Sequence, residues 1–262
     1  MNKIISFFGA DYSVGTTMTA QSTAEILAEN RKKVLLILAS SNPLMDYFKT
    51  GDIINRSIDE LRPSLRAENL TKEEVMNICY RTKNLTVLPP VKDLTLIRFF
   101  RETDLETIIN LVIDNFDFIV IDGGCNIQHP LNISALMCCN KLFVVITQQE
   151  KSLNRYRLLK ETVLNPLNLN HSIIVNKFTE TSPYYSKKNL FQVTGIREIF
   201  MIKNCDNSWE AEIQKETLLK YPKYKEGIKS MVRDIEGQEG LLYNFKGRSK
   251  KSVLGGKDAF IN

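Results

Sequence analysis

Short runs of uninterrupted apolar residues alternate along the chain with longer stretches whose apolar positions recur every three to four residues. A strand with one face in water alternates apolar and polar side chains, whereas a strand covered on both faces is apolar throughout. Residues 3–8, 33–38, 85–88, 118–121, 142–146 and 171–175 read as strands of the covered kind, with 198–201 a weaker final one. Helical spacing runs over 16–30, where Ala20, Ala24, Leu27 and Ala28 share one side, and over 104–115, 134–139 and 151–163. Beyond Trp209 the pattern turns helical over 210–221, breaks at Pro222 and resumes over 223–236. Buried strands separated by helices predict a doubly wound α/β fold: a mostly parallel sheet with helices on both faces. No internal repeat and no long linker interrupts the pattern, so one domain is expected over 1–245.

Composition narrows the function classes. With 262 residues, 43% hydrophobic and 25% charged, the chain has ordinary globular composition, which excludes disorder, collagen-like repeats and a disulfide miniprotein. The apolar runs are far shorter than the roughly 20 residues a membrane-spanning helix needs. The first residues lack a signal-peptide core, and a cytoplasmic protein is expected. Five cysteines form no CxxC pair and two histidines lie far apart, which argues against a disulfide framework or a zinc site. The net charge of +5 is concentrated in residues 246–262, where Lys246, Arg248, Lys250, Lys251 and Lys257 face one acid, Asp258. The rest of the chain carries only +1, which does not support a globally basic nucleic-acid surface. Glycines and serines in the tail, without an apolar stripe, predict a solvated basic segment.

In an open parallel sheet the ligand site lies at the carboxyl ends of the strands. The first such loop, residues 9–17, reads Gly-Ala-Asp-Tyr-Ser-Val-Gly-Thr-Thr between an apolar strand and an alanine-rich helix. There, main-chain N–H groups at a helix start can cradle a phosphate. A dinucleotide fingerprint fails, because Asp11 stands at its second glycine and residues 39–41, Ala-Ser-Ser, offer no acid for a ribose. Against the P-loop pattern GxxxxGK[ST], Ala10, Gly15 and Thr17 fall at the right spacing and Thr16 takes the lysine position.

The opening run from Ile4 through this loop resembles that of the ParA/MinD-type ATPases with their deviant loop KGGxGK[ST]. In the same order, residues 33–38 are similar to the family's second strand and 116–124, Phe-Asp-Phe-Ile-Val-Ile-Asp-Gly-Gly, to its Walker B strand and switch. Residues 141–147 and 173–178 are similar to its next two strands, the second carrying Asn176 where the family contacts adenine. The resemblance implies a nucleotide site built from Ala10, Asp11, Tyr12, Ser13, Val14, Gly15, Thr16, Thr17, Asn176 and Lys177, with Thr17 and Asp122 on Mg²⁺ and ATP as ligand. It also implies a homodimer serving a protein partner in a membrane-associated machine. The departures are specific. The signature lysine falls on Asp11, loop glycines on Tyr12 and Ser13, the P-loop lysine on Thr16, and the acids after the second strand on Leu38 and Ser40. Two cations are thereby removed from phosphates whose transition-state charge needs neutralising, so hydrolysis is expected to be slow or absent. Loss of the lysines is similar to the TadZ/CpaE-type members that localise pilus or secretion machinery. The alternatives are a DNA partition ATPase, against which the low body charge counts, and a scaffold without nucleotide. Membrane contact is expected to be at most peripheral. Of the remaining candidates, Arg155 and Arg157 could face phosphate or a partner but are expected on a solvated helix face, Lys177 is a substitute cation, Cys138 and Cys139 belong to the core, and Tyr184 and Tyr185 form a partner-facing or packed pair.

Overall fold

The computed structural model describes residues 4–43, 45–48, 56–81, 84–182 and 185–237; the basic tail and Tyr184 lie outside them. The chain runs β1 (Ile4–Gly9), α1 (Thr16–Glu29), β2 (Val34–Leu38), α2 (Arg62–Arg66), α3 (Lys72–Ile78), β3 (Tyr80–Arg81) and β4 (Leu85–Leu88). It continues through α4 (Asp104–Val112), β5 (Phe118–Asp122), α5 (Pro130–Met137), β6 (Lys141–Ile146), α6 (Glu150–Leu159), β7 (Ser172–Phe178), α7 (Lys187–Thr194), β8 (Ile199–Lys203), α8 (Trp209–Gln214) and α9 (Pro222–Ile235). Among the described residues eight strands form one sheet in the order β3-β4-β2-β5-β1-β6-β7-β8. Seven are mutually parallel, and only the two-residue β3 at the edge pairs antiparallel, with β4.

The apolar runs divide their side chains between the two faces. Val34, Leu36 and Leu38 of β2 pack with Ala20, Ala24 and Leu27 of α1 and with Ile228, Met231 and Val232 of α9. Leu35 and Ile37 pack on the other face, with Leu105, Ile108 and Val112 of α4. Phe7 and Phe8 of β1 split the same way, Phe8 joining Leu153 and Tyr156 of α6. Burying each such side chain stabilises the fold by roughly 1.5–3 kcal/mol, and covering both faces is why no polar alternation marks these strands.

Several elements depart from the sequence expectation. The run 85–88 is the fourth strand, because β3 is too short to show a period. The helix expected over 210–221 ends at Gln214, where Lys215 takes a left-handed conformation (φ 52°), and a single 3₁₀ turn follows at Leu218–Lys220. Pro222 begins α9 rather than separating two helices, and Pro130 begins α5 four residues before the expected start. Both use the first helical turn, where proline's missing N–H costs nothing. The strand expected over 171–175 extends to Phe178, with an irregularity between Val175 and Phe178. Asn176 and Lys177 therefore sit in the last turn of β7 rather than in a loop.

β1 lies between β5 and β6, while its own continuation through α1 leads to β2 on the far side of β5. Such a reversal of winding opens a crevice at the carboxyl end of the central strands.

Candidate functional site

The loop after β1 is pinned at its start. The Gly9 N–H donates to the Gly124 carbonyl (2.7 Å) and the Ala10 N–H to the Val145 carbonyl (2.9 Å), so the loop after β5 and the end of strand β6 clamp it from both sides. Neither N–H is therefore available to a ligand. The Tyr12 N–H donates to the carboxylate of its neighbour Asp11 (2.8 Å). Ser13 (φ 57°) and Gly15 (φ 90°) both take the left-handed conformation, a backbone form in which successive N–H groups can face one side. The N–H groups of Ser13, Val14 and Gly15 have no acceptor among the described residues. Those of Thr16, Thr17 and Met18 open α1 and have no partner within the helix. Six donors at the positive end of a helix dipole make an anion cradle. Two close approaches need glycine: a Cβ on Gly9 would lie 2.4 Å from Thr16 Oγ1, and one on Gly15 2.2 Å from Asn176 Nδ2.

Beside the cradle, the Thr17 hydroxyl donates to Asp122 Oδ2 (2.7 Å). Sheet register places this contact, because Asp122 at the end of β5 stands opposite Phe7 of β1 and Leu38 of β2. Asp122 is 0% exposed. Burial raises its pKa above the ordinary carboxylate range, against the lowering effect of hydrogen bonds from Thr17, the Gly124 N–H and Ser40. A hydroxyl and a carboxylate are hard oxygen donors suited to Mg²⁺, which completes its octahedron with phosphate and water oxygens. No group of three His, Cys, Asp or Glu side chains that could hold a metal occurs among the described residues. The pair therefore fits a cation that a phosphate ligand helps to hold, and not a metal cage made by protein alone.

On the other side, the Asn176 side-chain amide donates to the Val14 carbonyl (2.8 Å), and Lys177, itself left-handed (φ 54°), brings Nζ to 3.0 Å from the Ser13 carbonyl. The end of β7 thus props the cradle. It also borders a cavity of about 300 Å³ whose walls include Ser13, Gly15, Tyr47, Asn176, Lys177 and Trp209. Met18, Lys203, Cys205, Glu212, Leu218 and Tyr224 complete much of the lining. Sequence reasoning missed this wall. Apart from Ser13, Gly15, Asn176 and Lys177, which carry a signal through the resemblance, its residues come from separate segments with no local motif.

The structure separates two arginines that the sequence treats alike. Arg157 lies on the solvated face, 3.6 Å from Glu150 and bonded to Asn154. Arg155 is solvated too, its side chain 47% exposed, but its Nη1 also stands 3.1 Å from Asp11 Oδ1, and Lys151 Nζ stands 3.5 Å from Asp11 Oδ2. Thr16, at the lysine position, is buried. Tyr185 packs at the margin of the α6 core while Tyr12 is exposed.

A family model described as an AAA domain matches residues 2–175. An uncharacterised ATP-binding protein of Methanocaldococcus jannaschii is 22% identical over 224 residues, 84% of this chain and 81% of that protein. Among solved structures, the septum site-determining protein MinD of Pyrococcus horikoshii, complexed with Mg-ADP, superposes with a TM-score of 0.74 at 18% identity, covering 92% of this chain and 98% of that one. A candidate plasmid partition protein of Borrelia burgdorferi bound to AMPPNP gives a TM-score of 0.71 at 20% identity, covering 91% and 100%. The likeness establishes the P-loop fold of the MinD and ParA proteins for this chain.

Proposed function

This chain belongs to the AAA domain family, and on that premise we propose that it binds ATP with Mg²⁺ in the crevice after β1. The observation that carries the reading is the alignment of three features: six N–H donors at the start of α1, the Thr17–Asp122 pair on one side, and the 300 Å³ cavity on the other. The cavity has the size of a nucleoside pocket. Trp209 offers a stacking face and Asn176 a polar edge for the base, while the cradle from Ser13 to Thr17 takes the phosphates. Thr17 and Asp122 are the protein oxygens for Mg²⁺, which when bound would neutralise phosphate charge. Lys177 reaches the loop at the Ser13 carbonyl, and by release from it takes the place of a missing loop lysine. The sequence pattern supports one domain over 1–245.

With Thr16 and Asp11 at the lysine positions and Ser40 in place of an acid, the protein is at most a slow ATPase. Its role in this reading is that of a nucleotide-dependent homodimer that positions or scaffolds a pilus, secretion or other membrane machine through a protein partner. No described helix is long and apolar enough to cross a membrane, in keeping with contact that is at most peripheral. Calorimetric titration with ATP, with and without Mg²⁺, tests the reading. Binding that tightens with Mg²⁺ is expected, and no binding at millimolar ATP leaves a scaffold without nucleotide.

A further inference from the structure

The P-loop of this chain carries an anion where an anion must bind. Asp11 is 7% exposed at its side chain and sits directly before the cradle, so unpaired it would repel a phosphate. It is not unpaired. Lys151 and Arg155, four residues apart on one face of α6, both converge on it at 3.5 and 3.1 Å. One carboxylate with two cations leaves the cluster at +1, the charge that a single loop lysine would supply. The cations also keep unused capacity: a guanidinium has five N–H donors and an ammonium three, and the side chains of Arg155 and Lys151 remain 47% and 68% exposed.

The loop start ties the cluster to the metal pair: Gly9, two residues before Asp11, donates its N–H to the carbonyl of Gly124, two residues after Asp122 (2.7 Å). Partial burial of Cys125, three residues after Asp122, together with the Asp11 and Asp122 carboxylates pushes its thiol up to about 11, with Arg155 opposing. One side chain therefore feels both the cluster and the metal pair. The base cavity opens on the opposite side, at Ser13, Gly15 and Lys177. A nucleotide with its base in that cavity and its metal at Thr17 and Asp122 points its last phosphate toward α6.

We propose that Lys151 and Arg155, gathered by Asp11, form a cationic clamp for the terminal phosphate of a nucleoside triphosphate, so that the site discriminates ATP from ADP. The proposal rests on the nucleotide reading above and assigns α6 a role in it. Asp11 is then a positioning residue: it holds the cations in place and competes with the phosphate for them.

The test is calorimetric titration with Mg²⁺-AMPPNP and Mg²⁺-ADP. Arg155→Met and Lys151→Met are each expected to weaken AMPPNP about tenfold, the scale of one charge-assisted hydrogen bond, and to change ADP affinity less than about twofold. Asp11→Asn, which frees both cations, is expected to tighten AMPPNP severalfold. A purely structural ion pair predicts the opposite pattern, since removing either partner strands the other and loosens the loop for both nucleotides alike. Equal losses for AMPPNP and ADP, or weaker AMPPNP binding by Asp11→Asn, overturn the clamp and leave the nucleotide reading standing. Failure of the unaltered chain to bind either nucleotide removes both. Lys151 is largely exposed, so Lys151→Met decides the matter should Arg155→Met fail to fold.

Discussion

The two ends of the crevice are built in different ways. At the metal end, Thr17 and Asp122 stand on the first turn of α1 and the last residue of β5, elements whose registers with β1 and β2 leave no freedom of position. At the cavity end the wall is assembled from short pieces: the irregular end of β7, the six-residue α8 that stops at a left-handed Lys215, and Tyr47 in an irregular stretch. Asp122 is wholly buried while Trp209 is 61% exposed. Charge chemistry needs groups held in one geometry by many contacts, whereas an adjustable wall can close on a flat ligand. Position at the metal end is thus set by the sheet, and at the cavity end by side chains that a ligand can order.

Asp122→Asn separates the two ends most strongly. Loss of the carboxylate is expected to weaken Mg²⁺-dependent ATP binding about a hundredfold while leaving adenosine affinity unchanged by calorimetry; equal loss of adenosine would show that the ends are not independent. The pH dependence follows from the raised pKa. The folded protein binds this proton more tightly than the unfolded chain, so ionised Asp122 costs stability at neutral pH, and the cost is relieved as pH falls through the raised value toward the ordinary range. The asparagine variant is therefore expected to melt higher than the parent near pH 7, with the difference closing in acid. Mg²⁺-dependent binding, which needs the carboxylate, is expected to weaken over the same fall in pH.

Trp209→Ala probes the other end. Loss of its ring is expected to weaken adenosine and ATP alike by about tenfold, the scale of one base stacked on an aromatic face, with Mg²⁺ dependence retained. Trp209 is the only tryptophan of the chain, so quenching of its fluorescence by adenosine checks the same contact without a mutation. An unchanged spectrum at saturating ligand would place the base elsewhere.

The smallest effect concerns the cradle between them. Ser13 holds a left-handed conformation that costs a non-glycine residue roughly 1–2 kcal/mol, but glycine also gains freedom in the unfolded chain. Ser13→Gly is accordingly expected to raise stability by only a few tenths of a kcal/mol in urea denaturation. A decrease would mean that the serine side chain makes a contact the loop depends on.

Most of the fold was legible because the strands are buried on both faces and the helices on one. Runs such as 33–38 and 118–121 could be nothing but interior strands, and the spacing of Ala20, Ala24 and Leu27 points to one packed face. Elements shaped by two or three residues were not legible. β3 has only two residues and no period, and α8 ends because Lys215 adopts a conformation that its residue type does not announce.

The position of the loop and the nearness of Thr17 to Asp122 were readable for a related reason: contiguous residues form the first, and Asp122 closes an apolar run at the carboxyl edge of the sheet. The sequence alone determined the doubly wound class, the placement of the first loop at the strand ends and the absence of both loop lysines. Tertiary structure alone decided which cations meet the loop. Arg155 is 144 residues from Asp11 and Lys177 164 from Ser13. Helical spacing assigns a side chain to a face, but which distant carboxylate or carbonyl that face meets depends on how α6 and β7 pack beside β1. Contacts across such separations leave no period in the chain, and the sheet order β1-β6-β7 brings them together.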